Sequence, residues 1–279
     1  MDRNSAFVYG DHSSLHSGSD ATWINLEKTL RHEGFTIVME PEFADVIIIN
    51  GEGSMHHNST PFRKKMESAQ KYVDSKPVIL TNSVWQANSA KYDDVLRKMS
   101  SVEVRDPLSQ KDLLSRHAFL AEVRFDLAAR ESYEHYSSRL GLRMSHSKHG
   151  AQTDFFDKDA RAWRYHPLID LPRLDMGAGW HNVLRMVAET KYVFAGRYHA
   201  AVACVMTATP CYAVRSNSHK IEGLRDSLPH PDQIRLLSFG DLTKIEPQMI
   251  EVFDESKLLE NAQHVFVQAW RQRNWARYL

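Results

Sequence analysis

Two short stretches carry the side chains best suited to act on an anion. In the first, Val193-Phe194-Ala195 runs into Gly196-Arg197-Tyr198-His199-Ala200-Ala201, an apolar strand that turns through glycine into a helix of small residues. Arg197 and His199 then sit on a first helical turn, where free backbone amides and the helix dipole already favour negative charge. A guanidinium beside those amides makes a fork for carboxylate or phosphate, and an imidazole adds a donor that also moves a proton near neutral pH. In the second, Val214 leads into Arg215-Ser216-Asn217-Ser218-His219-Lys220, again polar residues just after a strand. Ser216 and Ser218 are helix-capping candidates, and Arg215 and Lys220 have the reach to meet a phosphate held at an adjacent strand end. Each stretch also has a plainer explanation: a structural arginine with a capping histidine for the first, solvated loop charges for the second.

A third stretch, Gly51-Glu52-Gly53-Ser54, follows the apolar run 45–50 and precedes His56 and His57. It reads as a strand feeding a tight turn. The remaining signals are weaker. His12 and His16 lie four apart with no third ligand implied, and Asp154, Asp157 and Asp159 lack the glycine and terminal glutamate of a calcium loop, so no metal site is expected. There is no P-loop lysine motif and no Gly-x-Ser-x-Gly elbow, which removes the usual entry points to nucleotide hydrolysis and serine-hydrolase chemistry. Cys204 and Cys211 lie in one apolar region without metal-ligand spacing and read as buried thiols.

The elements that must position these stretches alternate short β-branched runs with helical-period segments, the pattern of parallel α/β layers. Strands are predicted at 5–9, 35–39, 45–50, 77–80 and 101–105. Helices are predicted from the capping candidates Ser19 and Asp20 to Gly34, and over 64–73, 90–99 and 107–116. Together these make one doubly wound unit. Between 123 and 141 the pattern loosens into polar and aromatic residues, which places a domain junction there, and 152–176 shows little periodicity. Regularity returns with helices over 180–190, 198–207 and 220–228, strands over 192–195, 211–214 and 234–237, and a last helix from about residue 255. The fold expected is two Rossmann-like domains, 1–135 and 136–279, facing a cleft, with the C-terminal helix packed across both. In such sheets ligands bind beyond the carboxyl ends of the strands, which is where all three stretches fall.

Composition narrows the classes. The chain has 279 residues, too many for one ordinary core, with 42% hydrophobic and 25% charged residues, a globular balance. Lys plus Arg and Asp plus Glu number 35 each, so no global field draws nucleic acid or anionic membrane, and any anion site must be local. No apolar run is long enough to span a bilayer, and residues 1–5 lack the layout of a signal peptide, so a cytoplasmic protein is expected. The tail 264–279 combines Arg271, Arg273 and Arg277 with Trp270, Trp275 and Tyr278 and carries no acid. It is suited to a closing helix, with contacts to a nucleic acid the alternative.

In these residues the chain resembles the polysaccharide pyruvyl transferase family. The resemblance runs from Trp180 to Leu224, through Gly196-Arg197-Tyr198-His199-Ala200, Thr209-Pro210 and Lys220-Ile221-Glu222-Gly223. Upstream it extends to Tyr9-Gly10-Asp11, residues 45–54, Val104-Arg105-Asp106 with Ser109, and Phe125-Asp126-Leu127-Ala128, in the expected order. It implies a GT-B-like architecture with the donor held mainly by the C-terminal half, and a reaction that moves pyruvyl from phosphoenolpyruvate to saccharide hydroxyls without a cofactor. Under it, Arg197 binds the donor's anionic groups and His199 serves as acid or phosphate ligand. Lys220 and Arg105 are supporting cations, and Gly196, Tyr198, Arg215, Ser216 and Asn217 complete the donor side. The chain departs from the family in being short and in placing Glu52 where plainer glycines are common. A carboxylate repels phosphate, so Glu52 is assigned to acceptor binding or general-base duty, with Asp11, His12, Gly51, Ser54 and His56 beside it.

Two other functions fit the same residues. A nucleotide-sugar glycosyltransferase would use the same helix N-terminus and cations on a diphosphate leaving group, with a glycan or a hydroxylated DNA base as acceptor. A catalytically silent module would only recognise an anionic saccharide. Fold alone does not separate them.

Overall fold

A computed structural model of the protein describes residues 4–10, 16–130, 151–152, 171, 173–242 and 253–279. By its contacts the chain forms two compact units, one of residues 1–13, 21–127 and 269–279, the other of residues 14–20 and 128–268. The sequence suggested a single junction at 135–136. The contacts instead put the boundary at 127–128, count the start of the first long helix with the second unit, and return the last residues to the first.

The first unit holds a six-stranded sheet, all parallel, in the order β2-β1-β3-β4-β5-β6. Its strands are β1 Ser5–Tyr9, β2 Thr36–Ile37, β3 Val46–Glu52, β4 Val78–Ser83, β5 Ser101–Val104 and β6 Glu122–Val123. Helices α1 Ser17–His32, α2 Thr60–Tyr72, α3 Asp93–Lys98 and α4 Pro107–His117 connect them. Alternate residues of β3 and β4 supply two cores, as a sheet covered on both faces requires. Ile47, Ile49, Val78 and Leu80 pack with Phe62 and Trp85 on one side. Val46, Ile48 and Ile79 pack with Leu26, Leu30 and Trp275 on the other. Helix α2 starts at Thr60, four residues before the periodicity alone suggested. The Ser59 side chain accepts the Phe62 N–H and Pro61 occupies the first turn, a start signal that outweighs the polar run before the apolar face. Strand β2 is shorter than the expected 35–39: only Thr36 and Ile37 are in the ladder with β1.

The second unit has a parallel four-stranded sheet in the order β10-β9-β8-β7. Its strands are β7 Ala151–Gln152, β8 Val193–Ala195, β9 Cys211–Val214 and β10 Ile234–Leu237. Among the described residues its helices are α5 Trp180–Ala188, α6 Tyr198–Met206, α7 Lys220–Asp226, α8 Phe239–Leu242 and α9 Glu255–Ala269. Helix α6 is built of Tyr198 and His199 followed by Ala-Ala-Val-Ala-Cys-Val-Met, and residues 200–206 are all buried. A helix buried on every side needs small apolar residues all round, which is what this segment supplies. The body of α9 packs on the sheet through Leu258 and Ala262, beside Phe194 and Tyr212. Cys204 and Cys211 are buried thiols, as their setting suggested.

The chain's end belongs to the first unit. The Arg273 guanidinium, 2% exposed, donates through Nε to Glu103 at 3.1 Å and through Nη2 to the Phe125 carbonyl at 3.0 Å. Trp275 donates its indole N–H to the same Glu103 at 2.9 Å and its backbone N–H to Glu33 at 2.6 Å. Arg273 is therefore a core residue.

Candidate functional site

The carboxyl end of β8 supplies the strongest chemistry. Gly196 is buried, Arg197 is the extended N-cap residue of α6, and Tyr198 and His199 open the helix. Arg197 and His199 are half-buried, whereas the strand before them is fully covered. Two rings set the surroundings of the imidazole: Tyr198 at 5.2 Å and Trp180 at 6.1 Å between centroids, both edge-on. Trp180 opens α5 and fixes its own ring by donating Nε1–H to the Ala128 carbonyl at 2.9 Å. The corner thus combines a cation, an imidazole and a helix N-terminus on a rigid strand-to-helix turn, able to hold an anion and move a proton.

The second stretch lies one strand over. The register pairs Ala195 with Ala213, so the chain leaving β9 passes beside the one leaving β8. Arg215 is largely exposed, with Nε 3.5 Å from Glu222. Lys220 Nζ and Ser216 Oγ both donate to Asn217 Oδ1, at 3.0 and 3.2 Å. Neither serine caps α7: His219 is its N-cap residue and makes no side-chain capping bond. Ser218 is 5% exposed, and its Oγ has no hydrogen-bond partner among the described residues.

In the first unit, β1 pairs with β2 on one side and β3 on the other, which makes the carboxyl ends of β1 and β3 the switch point of the sheet. The glycines there are steric necessities. A Cβ on Gly10 would stand 2.9 Å from Asn50 Cβ, and one on Gly51 would stand 2.5 Å from Ser83 Cβ. Glu52 closes β3 with φ of 47°, is 8% exposed, and accepts from Asn50 Nδ2 at 3.1 Å. Ser54 donates Oγ–H to the Gly51 carbonyl at 2.9 Å. Lys65 from α2, 6% exposed, reaches both Gly51 O and Ser54 Oγ at 2.9 Å and so clamps the turn from beneath. His56 is half-buried and meets exposed His57 edge-on at 5.3 Å. Asp11 and His12 lie outside the described residues.

Arg105 departs from its expected role as a supporting cation. Its side chain is buried, with Nη1 2.8 Å from Asp126, itself 0% exposed and within 3.4 Å of the Thr22 hydroxyl. Two of the upstream segments that carried the resemblance thus bond to each other. Asp106 beside them caps α4, accepting from Ser109 N at 2.8 Å. Lys65 and Trp180 were missed, the one looking like a surface helix lysine and the other like an apolar helix residue. Only the partners reveal them.

No group of three or more metal-ligating side chains occurs among the described residues, and none of their helices is long and apolar enough to cross a membrane.

The sequence matches the polysaccharide pyruvyl transferase family model over residues 3–218. No curated protein matches it. Several solved structures share the fold. A protein of uncharacterised function from Klebsiella pneumoniae has a TM-score of 0.56 at 12% identity, covering 84% of this chain and 92% of its own. Anabaena HepE, solved with UDP and glucose, has a TM-score of 0.52 at 12% identity, covering 97% and 95%. A Listeria monocytogenes protein assigned as a UDP-N-acetylglucosamine 2-epimerase has a TM-score of 0.52 at 10% identity, covering 98% and 92%. At such identities the likeness shows the fold, which is mixed α/β of the GT-B-like class.

Proposed function

The chain belongs to the polysaccharide pyruvyl transferase family, and from that premise we propose that it transfers a pyruvyl group from phosphoenolpyruvate to a saccharide. The observation that carries the reading is the β8–α6 corner, where Arg197 and His199 share one helix start in the second unit. The donor carries a carboxylate and a phosphate ester on one enol carbon. Arg197, with the helix amides, grips an anionic group by charge-assisted hydrogen bonds. His199 gives a proton to the methylene carbon, or holds the phosphate as it leaves. A saccharide hydroxyl adds at the carboxyl-bearing carbon, phosphate leaves that carbon, and a second hydroxyl takes its place to close the ketal, the proton it releases going to the departed phosphate. Positioned proton transfer of this kind contributes about 10²- to 10⁴-fold. Arg215, Ser216, Asn217 and Lys220 supply polar groups at the neighbouring strand end. Glu52, in the turn that Lys65 braces, takes the proton of an acceptor hydroxyl, so the second unit serves the donor and the first the acceptor.

The second reading is transfer from a nucleotide sugar, favoured by the fold shared with a protein solved with UDP and glucose. Thermal shift with phosphoenolpyruvate, UDP, CMP and GDP separates the two, because a ligand that prefers the native state raises its apparent stability. The proposal expects a rise with phosphoenolpyruvate. A rise with a nucleotide and none with phosphoenolpyruvate overturns it in favour of sugar transfer.

A further inference from the structure

The first turn of α1 contains a glycine whose side-chain position is already filled. A Cβ on Gly18 would lie 2.1 Å from His199 Cγ and 2.4 Å from both its Cβ and Nδ1. These are the root atoms of the imidazole side chain, and the Cβ is fixed by the backbone of α6. No χ1 rotation moves it away, so a larger residue at 18 must push the helix turn or the α6 start. The turn has little room to yield. Ser17 donates its backbone N–H to the Met176 carbonyl at 3.0 Å, and its Oγ accepts from the Gly179 N–H at 3.0 Å. Gly179 is the N-cap residue of α5, and the next residue is Trp180. One connected set therefore runs from Gly18 through Ser17 and Gly179 to Trp180, with both ends against the same imidazole. Trp180 is 5% exposed and its indole N–H is spent on Ala128, so its ring cannot swing to follow a displaced histidine.

We infer that Gly18 and Trp180 are positioning residues that hold the His199 imidazole in one orientation, Gly18 by leaving the space it occupies and Trp180 by presenting a pinned ring to it. The inference rests on the reading of His199 as the proton-carrying group of the donor site, and it adds that this group is set by the first turn of α1 as well as by its own strand-to-helix corner. A purely conformational role for Gly18 predicts the opposite sign, because replacing a helical glycine by alanine ordinarily stabilises a helix.

The test combines imidazole spectra, melting temperatures and phosphoenolpyruvate titration on the full chain. The side-chain ¹H–¹⁵N signals of His199 are assigned by their loss in His199→Gly. Gly18→Ala is expected to displace those signals, lower the melting temperature and weaken phosphoenolpyruvate binding at least tenfold. In the His199→Gly background, where the struck Cβ is gone, the same Gly18→Ala change is expected to leave the melting temperature unchanged or raise it. If Gly18→Ala alone does not fold while the double variant does, the inference is equally supported. Trp180→Ala is expected to displace the signals, and Trp180→Phe to keep phosphoenolpyruvate affinity within threefold of wild type. Unmoved imidazole signals in Gly18→Ala, or an equal melting-temperature change in both backgrounds, overturns the inference. Phosphoenolpyruvate binding by His199→Gly at wild-type strength would instead sink the donor-site reading, and the spectra and melting cycle would still decide the positioning question.

Discussion

Arg105 and Arg197 stand in the same sequence context, each just past a parallel strand and just before a helix, and the fold sets them in different surroundings. Arg105 is enclosed with Asp126 at 2.8 Å, both almost without solvent exposure. Arg197 is the half-buried N-cap residue of α6, two residues before His199. The difference lies in what the rest of the chain delivers to each site. Residues 125–128 bring a carboxylate to the first arginine, which neutralises it. The segments around the second bring the Trp180 ring and a helix of small buried residues. What a strand-end arginine meets is thus decided by residues outside its own stretch, and local sequence does not contain that information.

The largest effect that would sharpen this contrast is on turnover. Arg197→Ala and His199→Ala are each expected to cut transfer from phosphoenolpyruvate by at least about 10²-fold, the scale of positioned proton transfer and of a lost charge-assisted contact. Their urea midpoints should stay close to wild type, and turnover within a few-fold of wild type would return the protein to a binding role. Arg105→Ala should do the reverse. Leaving Asp126 buried without its partner is expected to cost about 3–5 kcal/mol in urea unfolding, and a stable Arg105→Ala protein would break the contrast. Arg273→Ala should cost less, roughly 1.5–3 kcal/mol, because Glu103 keeps the Thr81 hydroxyl at 2.7 Å and the Trp275 indole at 2.9 Å. Equal losses for the two arginines in the same unfolding experiment would show that Glu103 is not so shared.

The smallest effect is on pH dependence. Burial on α9 pushes His264 below the ordinary histidine value of 6.5, partly offset by a hydrogen bond with the Ser227 backbone. The unfolded chain thus binds the proton more readily than the folded one. His264 contributes stability above pH 6.5 and loses it as the pH falls below that value. His264→Gln should flatten the melting-temperature profile on that acid limb, and an unchanged profile would show that His264 does not carry it.

Much of this architecture is written in local pattern. The buried strand before Gly51, the apolar triplet before Gly196 and the small-residue helix after it follow from hydrophobic period and from glycine, and they place the strand ends at which the candidate residues fall. Element starts are legible where a proline marks them, as Pro107 marks α4. They were missed for α2, where Ser59 and Pro61 precede the first apolar residue. What could not be read locally is pairing across distance. Nothing near Arg105 announces Asp126, nothing near Arg273 announces Glu103, and nothing in the run Ser17-Gly18-Ser19 announces a histidine far along the chain. Lys65 shows the same limit from the other side: a residue that looks solvated is buried because two oxygens of the Gly51–Ser54 turn require its charge.

Calorimetric titration of phosphoenolpyruvate into the wild-type chain and into Arg197→Ala reads the central claim most directly. The account predicts saturable one-to-one binding by the wild type and an affinity at least tenfold weaker in the variant, since a charge-assisted contact of this kind is worth roughly 1.5–3 kcal/mol. Equal affinities in the two proteins would contradict it.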